Sequence, residues 1–173
     1  MLKIVPVNKI PAKSDIIDAP TENLVRLYNT CQQMHEVCCQ SNGVGLAAVQ
    51  VGIPWKLCVV MLPSGKFRNI VNASYKQKDG SGVLISIEGC LSLKTRRGGL
   101  RHFEVPRYSE IVVKGKELKE ENGQLVLVDF EESMSVSNGR TAIVMQHEID
   151  HGLGILISEI GKEIQLDLIK NVK

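Results

Sequence analysis

An α+β domain is the fold class that the sequence predicts. Three observations predict it: an early amphipathic helix, a middle region of β-branched runs broken by turns, and one late apolar helix. Up to Pro20 the chain alternates apolar residues with prolines and reads as extended. From Thr21 the pattern turns helical, with Leu24, Leu27, Cys31, Met34 and Cys38 recurring at steps of three or four along one stripe. Thr21 is the expected N-cap and Asn42-Gly43 the expected stop. Lys56–Leu62 and Phe67–Ala73 read as strands, as do Ile111–Val113 and Leu125–Phe130, with Asn122-Gly123 a turn before the last. Asn138–His151 is helical again, with Gly152 and Gly154 ending it, and a short terminal helix is expected over Glu159–Lys170. Strands followed by one late helix predict sheets packed around that helix.

Composition narrows the function classes. The 173 residues are expected to form one domain with a short C-terminal tail. Hydrophobic residues at 43% and charged residues at 23% give a balance that supports a packed core. The apolar stretch Leu57–Leu62 is far shorter than a membrane span, and the N-terminus carries prolines and charges where a signal peptide needs a continuous apolar run. No membrane association and a cytoplasmic location are therefore expected. A net charge of +2 and 4% aromatics argue against direct nucleic-acid recognition, since the short basic cluster Arg96, Arg97 and Arg101 has no interleaved aromatics. The five cysteines read as reduced thiols, one of them a candidate metal ligand.

The strongest chemical signal is His147-Glu148-Ile149-Asp150-His151. On a helix, positions i and i+4 share a face, so both imidazoles can grip one ion from the same side. Glu148 lies next round the helix, within reach of a water activated there, which is the arrangement of a metallohydrolase with glutamate as general base. Catalytic sites of this kind use three protein ligands. The best third candidate is Cys90, in Glu88-Gly89-Cys90-Leu91-Ser92, because the other cysteines sit in apolar runs. Cys31, His35 and Cys39 also fall at i, i+4 and i+8, but thiols packed on a helix explain them better than a second metal site. Asp150 either orients a ligand, pairs with an arginine such as Arg107, or is exposed, and Glu88 is a candidate brace for the segment carrying Cys90.

A third stretch, Gly43-Val44-Gly45-Leu46-Ala47-Ala48-Val49-Gln50, superficially matches a dinucleotide fingerprint. That reading fails, because a helical pattern precedes the glycines and no Asp or Glu follows until after Lys78. Close backbone approach to a ligand or metal fits better, with Gln50 as a polar handle.

Together GVGLAAVQ, EGCLS and HEIDH resemble the three motifs of peptide deformylases, complete and in order. The resemblance implies an α+β fold with antiparallel sheets around the HEIDH helix. It implies Cys90, His147 and His151 as metal ligands and Glu148 as catalytic acid/base. It also implies that Gln50 and the backbone N–H of Leu91 polarise the formyl oxygen. The implied reaction removes the formyl group from the N-terminal methionine of nascent polypeptides and releases formate. One divalent ion is implied, usually Fe2+, with Zn2+, Ni2+ or Co2+ as substitutes. Gly43, Val44 and Gly45 are then candidate substrate contacts. Ile143 and Val144 are either a methionine pocket or core packing. The chain departs from the family's pattern at Leu93-Lys94-Thr95, which lacks the usual proline, and in a longer segment through Arg101. That segment would border the substrate groove, where its arginines would contact peptide, ribosome near the exit tunnel, or only solvent. The part after Gly154 is short, as in phage-encoded members, which would act in the host cytoplasm. Two rival readings stay open: another metallopeptidase, and a weakly catalytic deformylase-like binding protein.

Overall fold

The computed structural model describes residues 2–12, 14–17 and 23–165. Helix α1 spans Leu24–Gln40. Its N-cap is Asn23, whose Oδ1 accepts from the N–H groups of Val25 at 2.9 Å and Arg26 at 3.2 Å. The expected cap, Thr21, lies outside the described residues. The apolar stripe does face the core, burying Leu27, Cys31, Met34, Val37 and Cys38. Asn42 turns left-handed (φ 54°) and Gly43 N–H bonds back to Cys38 O at 2.8 Å, so the helix stops at the expected Asn42-Gly43.

Strands β1 (Gly45–Ala47), β2 (Leu57–Met61), β3 (Phe67–Gln77), β6 (Glu110–Glu121) and β7 (Gln124–Ser135) form one antiparallel sheet in the order β1-β2-β3-β6-β7. The expected strands all exist, and three of the four are longer than their apolar centres suggested. Asn122 (φ 51°) and Gly123 (φ 76°) supply the left-handed pair that a two-residue hairpin needs between β6 and β7. A second antiparallel sheet holds β4 (Val83–Lys94), β5 (Leu100–Tyr108) and β8 (Lys162–Ile164), in that order. The β4–β5 hairpin was not expected. Its inner face is polar (Ser86, Glu88) while Val83, Ile85 and Ile87 face solvent, which inverts the usual alternation. The segment through Arg101 that departs from the family's pattern holds the tight end of this hairpin, closed by Thr95 N–H on Gly99 O at 2.8 Å.

Helix α2 spans Thr141–Leu153 and buries every residue from Ala142 to His151. It begins three residues after the expected Asn138, because 136–138 form a separate 3-10 turn. Gly154 (φ 76°) ends it, whereas Gly152 lies inside it. One face of α2, with Val144, Met145 and Ile149, packs on Ala47, Cys58, Val60 and Ile70 of the larger sheet. The other face meets the smaller sheet: the Gln146 amide accepts from Tyr108 N–H at 3.0 Å and donates to Tyr108 O at 3.1 Å. The terminal helix expected over Glu159–Lys170 does not form in the described part. Helix α3 (Ile157–Ile160) ends at Gly161, and β8 then pairs with β5; the remainder of that expected helix lies outside the described residues. Among the described residues, no helix is long and apolar enough to cross a membrane.

Candidate active site

The interface of α2 with β4 brings three ligand-type residues together. The nearest ligand atoms of Cys90, His147 and His151 all lie within 4.8 Å of one another, with Cys90 Sγ 3.3 Å from His151 Nε2. The two rings sit 5.0 Å apart, as i, i+4 positions on a helix require. Glu88 accepts from His147 Nδ1 at 2.8 Å, which leaves Nε2 as the free lone pair of the neutral ring. Burial alone would lower the His147 pKa, yet its contacts with Cys90 and Glu88 push it up to about 10, so the metal-free ring is protonated and an ion that binds here must displace the Nε2 proton to reach the neutral form. Burial, His147 and Arg107 together hold His151 well below the ordinary range, so it stays neutral and able to donate a lone pair. A cysteine sulfur and two imidazoles are the donor set of a soft divalent transition ion. The residues present therefore fit a metal.

The alternative trio does not converge. Cys31 is buried and Cys39 exposed, while His35 stacks on Phe67 at 4.3 Å and bonds Asn69 Oδ1 at 2.7 Å.

A buried ion network braces the ligands. Arg107, 2% exposed, forks onto both Glu88 oxygens at 2.8 and 2.9 Å and also bonds Asp150. Tyr75 OH donates to the other Asp150 oxygen at 2.7 Å. Of the three readings held open for Asp150, the structure has the pairing with Arg107. Glu88 braces His147 directly, from a strand and not a loop. Burial would raise the Glu88 pKa, but bonds from Arg107 and His147 outweigh it and hold the carboxyl at about 2.

Glu148 sits beside the trio, 5% exposed, with Oε2 unpartnered among the described residues. Burial, resisted by His147 and Arg107, pushes its pKa up to about 7. Gln50 lies in the 3-10 turn Ala48–Val51, where its Oε1 accepts from Ala47 N–H at 2.9 Å. Its Nε2 is thereby aimed at Cys90 Sγ and Ser92 Oγ, 3.4 Å from each. The β4–β5 register breaks between Gly89 and Lys94, and Leu91 falls within that break. Gly45 permits close approach: a Cβ there would stand 2.6 Å from Glu148 Oε1 and 2.7 Å from Val144 Cγ1.

These groups open on one pocket of about 340 Å3. Gly43, Val44, Gly45, Gln50, Leu91, Ile143, Val144, His147 and Glu148 all line it. Val44 stands exposed on its rim, while Ile143 and Val144 are buried in its wall as well as in the core. Asn42, Leu100, His102 and Arg140 also line it, and sequence reasoning missed all four. Only Arg140 had an available signal, lying seven residues before His147 on the same helical stripe.

Polypeptide deformylase matches residues 1–165 of this chain. A peptide deformylase of Acetivibrio thermocellus is 31% identical over 153 residues, covering 88% of this chain and 76% of its own length. Peptide deformylase 1 of Bacillus anthracis is 32% identical over 151 residues, covering 84% and 85%. Among solved structures, a probable peptide deformylase from Synechococcus phage S-SSM7 superposes with a TM-score of 0.73 at 28% identity, over 92% of this chain and 99% of that one. The Thermotoga maritima peptide deformylase gives 0.72 at 27% identity, over 92% and 97%. With the family matched along nearly its whole length and a Cys/His/His cluster in place, this chain belongs to the polypeptide deformylases, the metal-dependent hydrolases that remove the N-formyl group from nascent chains.

Proposed function

We propose that this chain deformylates N-formylmethionyl peptides through the roles that follow. Cys90, His147 and His151 hold one divalent ion, natively Fe2+, with Zn2+, Ni2+ or Co2+ as working substitutes. The ion supplies Lewis acidity, lowering the pKa of water and polarising the formyl carbonyl. Glu148 takes the proton of the attacking water and returns one to the leaving amine, giving formate and a free N-terminus. A carboxyl poised near pH 7 by burial suits both directions of transfer. The Gln50 amide and the Leu91 N–H face the carbonyl oxygen as it gains charge. Glu88 holds the His147 ring at the tautomer that leaves Nε2 free. Gly43, Val44 and Gly45 line one side of the peptide, and Ile143 and Val144 take the methionine side chain. The small residues leave space for a formyl hydrogen and little for a larger acyl group. The whole chain acts as one catalytic domain in the cytoplasm, or in the host cytoplasm if it is phage-encoded, with nascent peptides near the ribosomal exit tunnel as its substrates.

The observation that carries this reading is the convergence of Cys90 with two α2 imidazoles, beside a pocket lined by His147 and by Glu148, whose Oε2 is unpartnered among the described residues. Protein purified anaerobically and loaded with iron is expected to release formate from formyl-Met-Ala and to leave an unformylated peptide intact. Internal cleavage of the unformylated chain would establish a general metallopeptidase instead. Gln50→Ala is expected to lower kcat roughly 100- to 1000-fold with little change in KM, because its donor acts on charge that develops only in the transition state. Steady-state kinetics on metal-matched samples check this; a change confined to KM would contradict it.

A further inference from the structure

The N-terminal arm reaches the back of the active site without entering it. Pro6 is extended, and a proline restricts the residue before it to extended backbone as well, so Val5 and Pro6 run straight. From that stretch the Val5 N–H donates to Gln50 O at 2.8 Å. The segment Ala48–Val51 that carries Gln50 is a short 3-10 turn. Gly52 N–H closes it on Val49 O at 3.1 Å, and Ile53 N–H on Ala48 O at 3.0 Å. Gln50 O comes after these, at the end where carbonyls lack partners inside the helix, and the arm supplies one.

The arm's side chains grip the neighbours of that turn. Leu2 and Ile4 pack on the core cluster that holds Ala48, Val51 and Leu91. Val7 packs on the cluster that holds Cys90, Leu93 and Phe103. Ile4, Val5, Pro6 and Val7 face Leu91–Lys94 across a cavity of about 350 Å3. Leu91 lines both this cavity and the substrate pocket, whereas the arm lines only the former. The arm therefore holds, from behind, the two segments whose donors face the formyl oxygen. Gln50 is tied twice, at its side chain by Ala47 N–H and at its main chain by Val5 N–H. A displacement of about 1 Å far from the chemistry can cost on the order of 100-fold in rate, so the second tie bears on turnover.

We propose that Val5 is a positioning residue for deformylation: its N–H fixes the turn from which the Gln50 amide reaches the oxyanion. This rests on the deformylase reading, which gives Gln50 that task. Val5→Pro removes the donor and keeps the backbone extended, while Val5→Ala trims the side chain and keeps the donor. An ester in place of the Ile4–Val5 amide removes the donor with every side chain intact, and is built by joining synthetic residues 1–30 to the remainder at Cys31.

On formyl-Met-Ala, Val5→Pro and the ester are each expected to lower kcat about 10- to 100-fold, with KM and metal content little changed. Val5→Ala is expected to stay near the parent. In a Gln50→Ala background, Val5→Pro should lower kcat by no more than about twofold, because the group it positions is gone. On zinc-loaded, 15N-labelled protein, the Gln50 side-chain amide signals should shift or broaden in Val5→Pro and hold in Val5→Ala. Equal losses of kcat with and without Gln50, a loss in Val5→Ala as large as in Val5→Pro, or unmoved amide signals in both donor-less chains overturn the proposal. Full turnover in Gln50→Ala alone would fault the oxyanion role given to Gln50; the amide signals then decide whether Val5 positions it.

Discussion

Glu148→Ala is expected to lower kcat by about 100- to 10,000-fold while the protein keeps its metal. The carboxylate is not one of the three converging ligand groups, so its loss leaves Cys90, His147 and His151 in place. It is also costly to the fold, being buried with Oε2 unpartnered among the described residues. Its removal relieves that cost, and no loss of melting temperature is expected. Glu148→Gln is the sharper variant, since it keeps shape and hydrogen bonding but cannot take a proton. Both variants should fall together in kcat. The check is kcat per bound metal, with metal content measured on the same samples. Activity within tenfold of the parent in the metal-loaded variants would remove Glu148 from the acid/base role. A parallel loss of metal would show that it holds the ion instead.

The sequence made the catalytic end of this site legible and its frame much less so. His147, Glu148 and His151 are read from one helical spacing, because i and i+4 share a face whatever surrounds the helix. Gly45 could be marked as a close-approach position, and the structure places Glu148 Oε1 2.6 Å from where its Cβ would be. The β4–β5 hairpin was missed for a physical reason. Its inner face must present Ser86, Glu88 and Cys90 to α2, so its apolar residues Val83, Ile85 and Ile87 point outward. Alternation that normally marks a core face therefore pointed nowhere. Leu100 and His102 reach the pocket only because β5 folds back on β4, with His102 opposite Gly89, a pairing no local pattern announces. The terminal helix failed at Gly161, where the chain passes close to Ile157 O and Glu104 O and then adds a strand to β5.

Arg107→Ala should destabilise the fold by about 3–5 kcal/mol, the usual cost of stripping the partner from buried charges. Against a typical total of about 5–15 kcal/mol, that is a large fraction. Among the described residues, Arg107 is the cation that pairs with both Glu88 and Asp150, each of which is no more than 4% exposed. Tyr75 can still bond Asp150, but Glu88 loses both guanidinium contacts. The pH dependence follows from the sign of the Glu88 shift. Its carboxyl is depressed from an ordinary 4.5 to about 2, so its contribution is complete above the unfolded value and is lost as pH falls toward 2. Without Arg107 the folded value rises, and acid unfolding should begin at higher pH. A Glu88 no longer held by the guanidinium also orients His147 Nδ1 less firmly, and metal affinity should drop about 10- to 100-fold. Melting temperature against pH, on metal-free and zinc-loaded protein, tests the first effect, and chelator competition tests the second. The triple variant Arg107→Met, Glu88→Gln, Asp150→Asn separates them. Removing all three charges together should return much of the stability, since no ion is left buried alone. It should not return the metal affinity, because a glutamine oriented by no arginine cannot replace the bidentate Glu88 behind His147. Recovery of both would mean that the network serves the fold alone; an unchanged melting temperature in the single variant would mean that it does not stabilise the fold.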